Sequence, residues 1–548
     1  MEAITEQDRV VLSRYSQAIM HLRDRKRTQR LILGLGAGVS QPLNFPSWPE
    51  LVSRLEGNRV FQRFRLAQST GPLALRAQAL FHCLEKLVCG DKQPSAEDQR
   101  QIRQRWIKML HRALYKGVPS SAASLRKHPY LTHYLQLIRD APLTINYNFD
   151  DSLERLLDHR FPSAENDNTR VYETIWEPST QFRRARGVIY HPNGFLPHSL
   201  VEGFSDHIVF SEGDFADQLI DSMAGHYATL VSHLTRYTCL VIGLSLSDAT
   251  LKHLLRQNTH LNPGHIHYHV RHREDDDAAS LEQDKQEALA NFDLHGVVTL
   301  HLSSSGICSL GRLLNCTDED FVEALDDCGL RKRRVYYVSG AVGCGKSTVV
   351  QKLRSLTTLT EWTEEMPRDM QKEPTVLSTK DRDNVDLWVS KQFRRKNFRI
   401  RFAKDYVILC DRTPLDPLAF VERRRRPARA SKHLEAIRPN NDGEAIEAGQ
   451  VILLTASAEE LMARAKERLR GHTLNYLTRQ QETFRELFRG RGVVEISTSS
   501  RSVSEVLRQV SRFIHCSDYE EFDVEGALRG LGKGLTVKAK DRIGGRTR

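Results

Sequence analysis

Eight residues near the middle of the chain, Gly340-Ala-Val-Gly-Cys-Gly345-Lys346-Ser347, constrain the fold more than any other segment. An apolar run, VYYVSG, leads into them, and a helix-compatible stretch, TVVQKLRSL, follows. A glycine, four residues and then Gly-Lys-Ser suit a loop whose backbone N–H groups curl around phosphate oxygens. In such a loop Gly340, Gly343 and Gly345 give the backbone its freedom. Lys346 reaches the outer phosphates, the Ser347 hydroxyl can bind Mg²⁺, and Thr348 completes the nucleotide-binding set. A loop that holds nucleotide without turning it over has the same sequence. Strand, loop and helix in this order predict an α/β unit with a parallel sheet.

The chain has 548 residues, more than one hydrophobic core usually serves, so more than one domain is expected. Apolar residues make up 40% and charged residues 27%, which excludes a disordered or fibrous class. No apolar run is long enough to span a bilayer, and the first ten residues lack a secretory leader's pattern, so a cytoplasmic protein with no membrane contact is expected. Nine scattered cysteines without a C-x-x-C pair fit reduced thiols and no structural metal. The net charge of +11 sits largely in short clusters such as Arg331–Arg334 and Arg423–Arg426. Solvated faces are the first reading of such runs, anionic nucleotides the second and nucleic acid the third.

Short apolar runs alternate with helical patterns through the first half, which predicts a second parallel, doubly wound sheet. Strands are expected at Leu31–Leu35, in APLTINYNF, at Gly187–His191 and at His207–Phe210. Further strands are expected at Cys239–Leu244, His265–Val270 and Val297–Leu302. The first thirty residues and most of 48–140 read as helical. DDSLERLLDH reads as a helix opened by acidic residues, and a single helix is expected over 214–236. The resulting division is 1–302, a junction at 303–333, a phosphate-loop domain at 334–516, and a basic, glycine-rich, flexible tail at 517–548.

Beyond the phosphate loop, YVILCDRTPLDPLAF puts Asp411 and Arg412 at a strand end, and VILLTASAEELMARAKERLRG is a strand followed by an arginine-bearing helix. This order resembles the nucleoside and thymidylate kinase group of P-loop proteins. The resemblance places Asp411 and Arg412 near the acceptor and the transferring phosphate of ATP or another triphosphate. It makes Arg464 and Arg468 lid residues that neutralise developing charge. The group's acidic residue after the second strand has three candidates here, Glu361, Glu364 and Glu365.

In the first half, GLGAGVS follows a strand, and FPSWPELVSRL, NFDDSLE, IYHPNGFLP and VIGLSLSD come after it in that order. Together they resemble the sirtuin-like domains of bacterial antiphage defence proteins, which hydrolyse NAD. The resemblance implies a glycine loop, Gly36, Ala37 and Gly38, that lets backbone approach the pyrophosphate, with Ser40 adding a hydroxyl. It makes Asn148 the catalytic asparagine, with Asp150 supporting its loop and Asn146 the fallback if the register slips. Gly243, Ser245 and Asp248 are expected on the adenosine side. His191 is the candidate general base. The family shows a His directly before the glycine, where this chain has Asn193, so either His191 does the work or the site is impaired.

These readings lead to an NAD hydrolase acting in antiphage defence. Its P-loop half would sense a nucleotide or phage-derived trigger, and the chain is expected to form homo-oligomers. A bifunctional enzyme whose main activity is nucleoside or nucleotide kinase is the first alternative. A catalytically silent nucleotide-binding switch is the second.

Overall fold

The computed structural model describes residues 4–62, 64, 71–119, 122–125, 127–162, 170–177, 187–201, 203–223, 227–246, 249–274, 278–371, 378–439, 445–467 and 473–534. It divides into two units, 1–262 with 266–328, and 263–265 with 329–548. No helix among the described residues is long and apolar enough to cross a membrane.

The first unit is built on a seven-stranded parallel sheet. Its strands are β1 (Leu31–Leu35), β2 (Leu143–Asn146), β3 (Tyr172–Ile175), β4 (Gly187–Tyr190), β5 (Thr238–Ile242), β6 (His267–His272) and β7 (Val297–Leu302), in the order β3-β4-β2-β1-β5-β6-β7. β1, β2 and β5 are buried along their whole length, which is why they read as short continuous apolar runs. The chain builds outward from β1 through β2 to β4 and β3, then returns to β5 on the other side of β1. That reversal opens a crevice at the carboxyl ends of β1 and β5, where sheets of this kind take their ligands.

Helix Glu6–Arg27 starts with a capping box between Thr5 and Asp8. Helices Ser304–Asn315 and Asp318–Asp327 lie in the segment read as a junction, and both are tied to this first helix. Arg312 pairs with Asp8 at 2.7 Å, and the buried Arg23 pairs with Asp318 at 2.7 Å while lying over the Phe321 ring. Only residues 328–333 then separate helix Asp318–Asp327 from the next strand.

Two expected elements differ. His207–Phe210 is not a strand, because its backbone bonds go elsewhere: Val209 N donates to Asn193 O, and Phe210 N to the Asp214 carboxylate. The helix expected over 214–236 is two, Glu212–Met223 and Ala228–Arg236.

The second unit holds β8 (Arg334–Gly340), β9 (Thr357–Leu359), β10 (Val407–Asp411), β11 (Gln450–Thr455) and β12 (Val493–Ser497), parallel and in the order β12-β11-β8-β10-β9. The strand feeding the phosphate loop is therefore central, with the Asp411 strand beside it. Residues 517–534, counted with the tail from their composition, are folded onto this unit. Phe522 bridges to Gly449, helix Val524–Gly532 buries Val524 and Leu528, and Glu525 pairs with Arg438. Two apolar residues four apart outweigh the glycine content there. Residues 535–548, the rest of the expected tail, lie outside the described residues.

Candidate functional site

The register of β1 against β5, Leu35 beside Ile242, brings Gly36 next to Gly243 at the crevice. Gly36 N donates to Ile242 O at 3.1 Å and Gly38 N to Gly243 O at 2.8 Å. A Cβ on Gly36 would lie 2.6 Å from Gly243 O. Gly243 itself has φ +68°, and a Cβ there would meet Val39 N at 2.6 Å. These glycines serve a backbone-to-backbone contact between two strand-end loops, and the N–H groups of Gly36 and Gly38 are spent on it. Ala37 opens the short helix Ala37–Ser40. The loop is also held by His128 Nε2, 2.6 Å from Val39 O, and by the Tyr130 hydroxyl, which donates to Gly38 O at 2.7 Å.

Asn148 stands just beyond β2, with its N–H bonded to Asn146 Oδ1 at 3.2 Å. Its Nδ2 donates to Gly36 O and to Ser40 Oγ, each at 3.0 Å. A carbonyl only accepts, so the bond to Gly36 O sets the orientation of the amide and leaves Oδ1 as the atom with hydrogen-bonding capacity to spare. The Asp150 carboxylate accepts from Ser152 N at 3.0 Å at the start of helix Ser152–Arg160, and the nearby Ser40 hydroxyl favours its charged form. Burial nonetheless holds the Asp150 carboxyl above its ordinary range.

His191 clamps Asn148 from behind. Its Nδ1 lies 2.7 Å from Asn148 O, and its Nε2 lies 2.8 Å from Glu154 Oε1. The ring is 0% exposed. With both nitrogens bonded to protein, His191 offers no open nitrogen to a substrate, and what it does here is position the Asn148 backbone. Asn193 is likewise engaged, its Oδ1 accepting from Gln218 at 3.0 Å.

A cavity of about 810 Å³ opens at the carboxyl ends of β5 and β6, and Gly38, Gly243 and Ser245 line it. A second, of about 240 Å³, is bounded by Asn193, Gly194, Trp176 and Gln218. Asn148 and His191 line neither. Asp248, expected beside Ser245, lies outside the described residues.

In the second unit a cavity of about 290 Å³ is lined by Gly343, Gly345, Lys346, Ser347, Thr348, Glu361 and Arg412. Lys346 Nζ folds back onto Gly340 O and Ala341 O, both at 2.8 Å. Burial raises the pKa of the Asp411 carboxyl against the opposing influence of the nearby Ser347 hydroxyl, and Asp411 Oδ1 is buried without a hydrogen-bond partner. A hydroxyl and a carboxylate oxygen at this point are the hard donors that suit Mg²⁺. Arg412, at φ +70°, pairs through Nε with Glu361 Oε1 at 2.6 Å. Of the three acidic candidates after the second strand, the one that reaches the cavity is Glu361. Arg464 bonds Thr498 Oγ1 at 2.9 Å and approaches Gly343 O at 3.4 Å, so it braces the loop from outside the cavity. Arg468 lies outside the described residues.

Two family models match the chain. A SIR2-like domain covers residues 142–295, and an AAA domain covers 335–505. The chain carries a SIR2-like domain followed by an AAA-type P-loop domain. A search of curated proteins found no match. The SIR2-like match begins at β2 and takes in Asn148, His191 and Gly243, while the Gly36–Ser40 loop reaches the site from outside it through the bonds to Asn148 and Gly243.

Several residues that shape the two sites are not assigned a role by the sequence. Glu154, the last residue of NFDDSLE, and His128 are two. Lys396, on helix Thr379–Arg401 of the AAA-type domain, is a third: it is buried, donates to Asp411 O at 2.7 Å, and has its pKa lowered to about 8 by burial. Each is identified by partners distant in the chain.

Proposed function

We propose that the SIR2-like domain hydrolyses NAD to nicotinamide and ADP-ribose in the cytoplasm, and that the P-loop domain binds a nucleoside triphosphate with Mg²⁺ and governs that activity. The observation that carries the reading is Asn148, oriented by Gly36 and Ser40 in front and His191 behind, at the crevice of a parallel sheet.

In this reaction the C1′–N bond breaks with its electron pair going to nicotinamide, the oxygen of water bonds C1′, and one proton is released. The barrier lies in forming an oxocarbenium-like centre. The spare Oδ1 of Asn148 is the atom suited to accept from water or a ribose hydroxyl next to that centre. Gly243 and Ser245 would receive the adenosine side. In the P-loop domain Lys346 would leave Gly340 O and Ala341 O for phosphate oxygens. Ser347 and Asp411 would hold Mg²⁺, which neutralises phosphate charge when bound. The role in antiphage defence, with an infection-linked nucleotide or protein as trigger and a homo-oligomeric assembly, rests on the family resemblance.

A second reading is favoured by Glu361 and Arg412, which line the phosphate-loop cavity as an acceptor-site pair would. It makes nucleoside or nucleotide phosphorylation the main activity. Incubating the full chain with NAD alone, and separately with MgATP and nucleosides, followed by chromatography, separates the two. Free nicotinamide supports the first reading. Nucleotide products without nicotinamide overturn it in favour of the second.

A further inference from the structure

The 810 Å³ cavity beside Gly38 and Gly243 carries charged side chains on its β6 wall. Two cations line it, Lys252 on helix Ala249–Leu261 and Arg271 in β6, against one carboxylate, Glu287 on helix Ala278–His295. Arg271 and Glu287 form an ion pair. That pairing neutralises Glu287 and leaves Lys252 as a cation without a carboxylate partner among the described residues.

Two histidines on the same wall carry a second signal. His295 is 8% exposed and His269 is 6% exposed, and the Nδ1 atom of each is buried without a hydrogen-bond partner. His269 Nε2 is engaged with Leu244 O at 2.8 Å, so its Nδ1 is the acceptor left over. Burial lowers the pKa of both rings. Neighbouring cations add to this, Lys252 and Arg256 for His295 and Arg271 for His269. This wall therefore carries an excess positive charge, Lys252, which matches an anionic group on the ligand, while His269 Nδ1, an acceptor on a neutral ring, matches a hydroxyl donor such as that of a ribose.

An NAD pyrophosphate belongs at the crevice between β1 and β5, one strand away from this wall. NAD has no further phosphate to offer β6. A phosphate on the adenosine ribose adds about −1.5 to −2 charges, and an arginine near that ribose is the usual way a dinucleotide site accepts it. We propose that this site takes the 2′-phosphorylated dinucleotide NADP in preference to NAD, with Lys252 and Arg271 receiving the 2′-phosphate. The proposal rests on the reading of this crevice as a dinucleotide site. The competing occupant of the wall is a bare ribose diol held by Glu287.

The test uses the full chain and two fragments as probes, 2′,5′-ADP and 5′-AMP, titrated by calorimetry, with NAD and NADP cleavage followed by chromatography. Two charge-assisted contacts predict binding of 2′,5′-ADP tighter than that of 5′-AMP by roughly ten-fold or more. In Lys252→Gln/Arg271→Gln the gap should close to within about three-fold, and Lys252→Arg should keep it, which guards against a folding defect. Equal binding of the two fragments, or a gap that survives the double substitution, overturns the proposal. So does NAD preference that is lost in Glu287→Gln. If NAD is cleaved with no preference for NADP, this inference fails and the hydrolysis reading stands. If neither dinucleotide is cleaved but the fragment preference depends on Lys252, the hydrolysis reading fails and the site assignment stands.

Discussion

Asn148 donates its amide to Ser40 Oγ at 3.0 Å, across 108 residues of chain. The loop that sequence patterns assign to phosphate thus orients the residue assigned to catalysis. The same hydroxyl also favours the charged form of the buried Asp150.

Asn148→Ala should abolish nicotinamide release without unfolding the protein. Ser40→Ala should lower it by at least about ten-fold, because the amide loses one of its two anchors. It should also cost roughly 1–3 kcal/mol of stability, since the buried Asn148 amide loses an acceptor. Nicotinamide quantified by chromatography and denaturant melts check both. A folded Asn148→Ala protein with full activity would shift the assignment to Asn146.

Gly243→Ala should destabilise the SIR2-like domain. The position has φ +68°, and the added Cβ would sit 2.6 Å from Val39 N. Left-handed strain and the displaced Gly36–Ser40 loop together suggest a cost of roughly 2–4 kcal/mol. Urea titration gives the change directly, and an unchanged midpoint would contradict the close backbone contact.

His128 makes the stability of the first unit sensitive to acid. Its Nε2 faces Val39 O, and its Nδ1 accepts from Leu131 N at 2.9 Å, so only the neutral ring fits. Burial lowers its pKa from 6.5 to about 4. The unfolded chain takes up this proton near pH 6.5 and the folded one only near pH 4. The contribution is therefore complete above pH 6.5 and is lost as pH falls toward 4, amounting to roughly 3 kcal/mol. Melts across that window should show the loss in the wild type and a smaller slope in His128→Gln.

Lys346→Ala should weaken triphosphate binding by roughly 1.5–3 kcal/mol, the value of a charge-assisted contact. The short 328–333 connection has no long flexible spacer, which motivates a regulatory link between the domains. If that link exists, NAD turnover in this variant should change by at least about several-fold in the presence of nucleotide. Identical rates in variant and wild type, across nucleotides and in infected-cell extract, would favour two independent activities. Nicotinamide release should persist in EDTA, whereas triphosphate binding should fall.

Much of the architecture is legible before folding is considered. Leu31–Leu35, Thr238–Ile242 and Val407–Asp411 are buried central strands, and such strands declare themselves as unbroken apolar runs. β3 has no such signature, because Tyr172–Ile175 is four residues with only its first fully buried. The folded segment Phe522–Leu528 is illegible for a different reason. Glycine and basic residues dominate the stretch that follows it, and the packing of two apolar side chains is invisible in composition.

The sequence alone determined the phosphate loop, the two parallel sheets and the position of Asn148, because each is a local pattern repeated at a set spacing. Only the tertiary structure decided what those residues do to one another. It turned His191 from an open base into a buried clamp, gave Gly36 and Gly243 to each other's backbone, and selected Glu361 from three candidates. The reason is physical: hydrogen bonding and burial depend on distances in space, and the partners concerned lie from about forty to over two hundred residues apart in the chain.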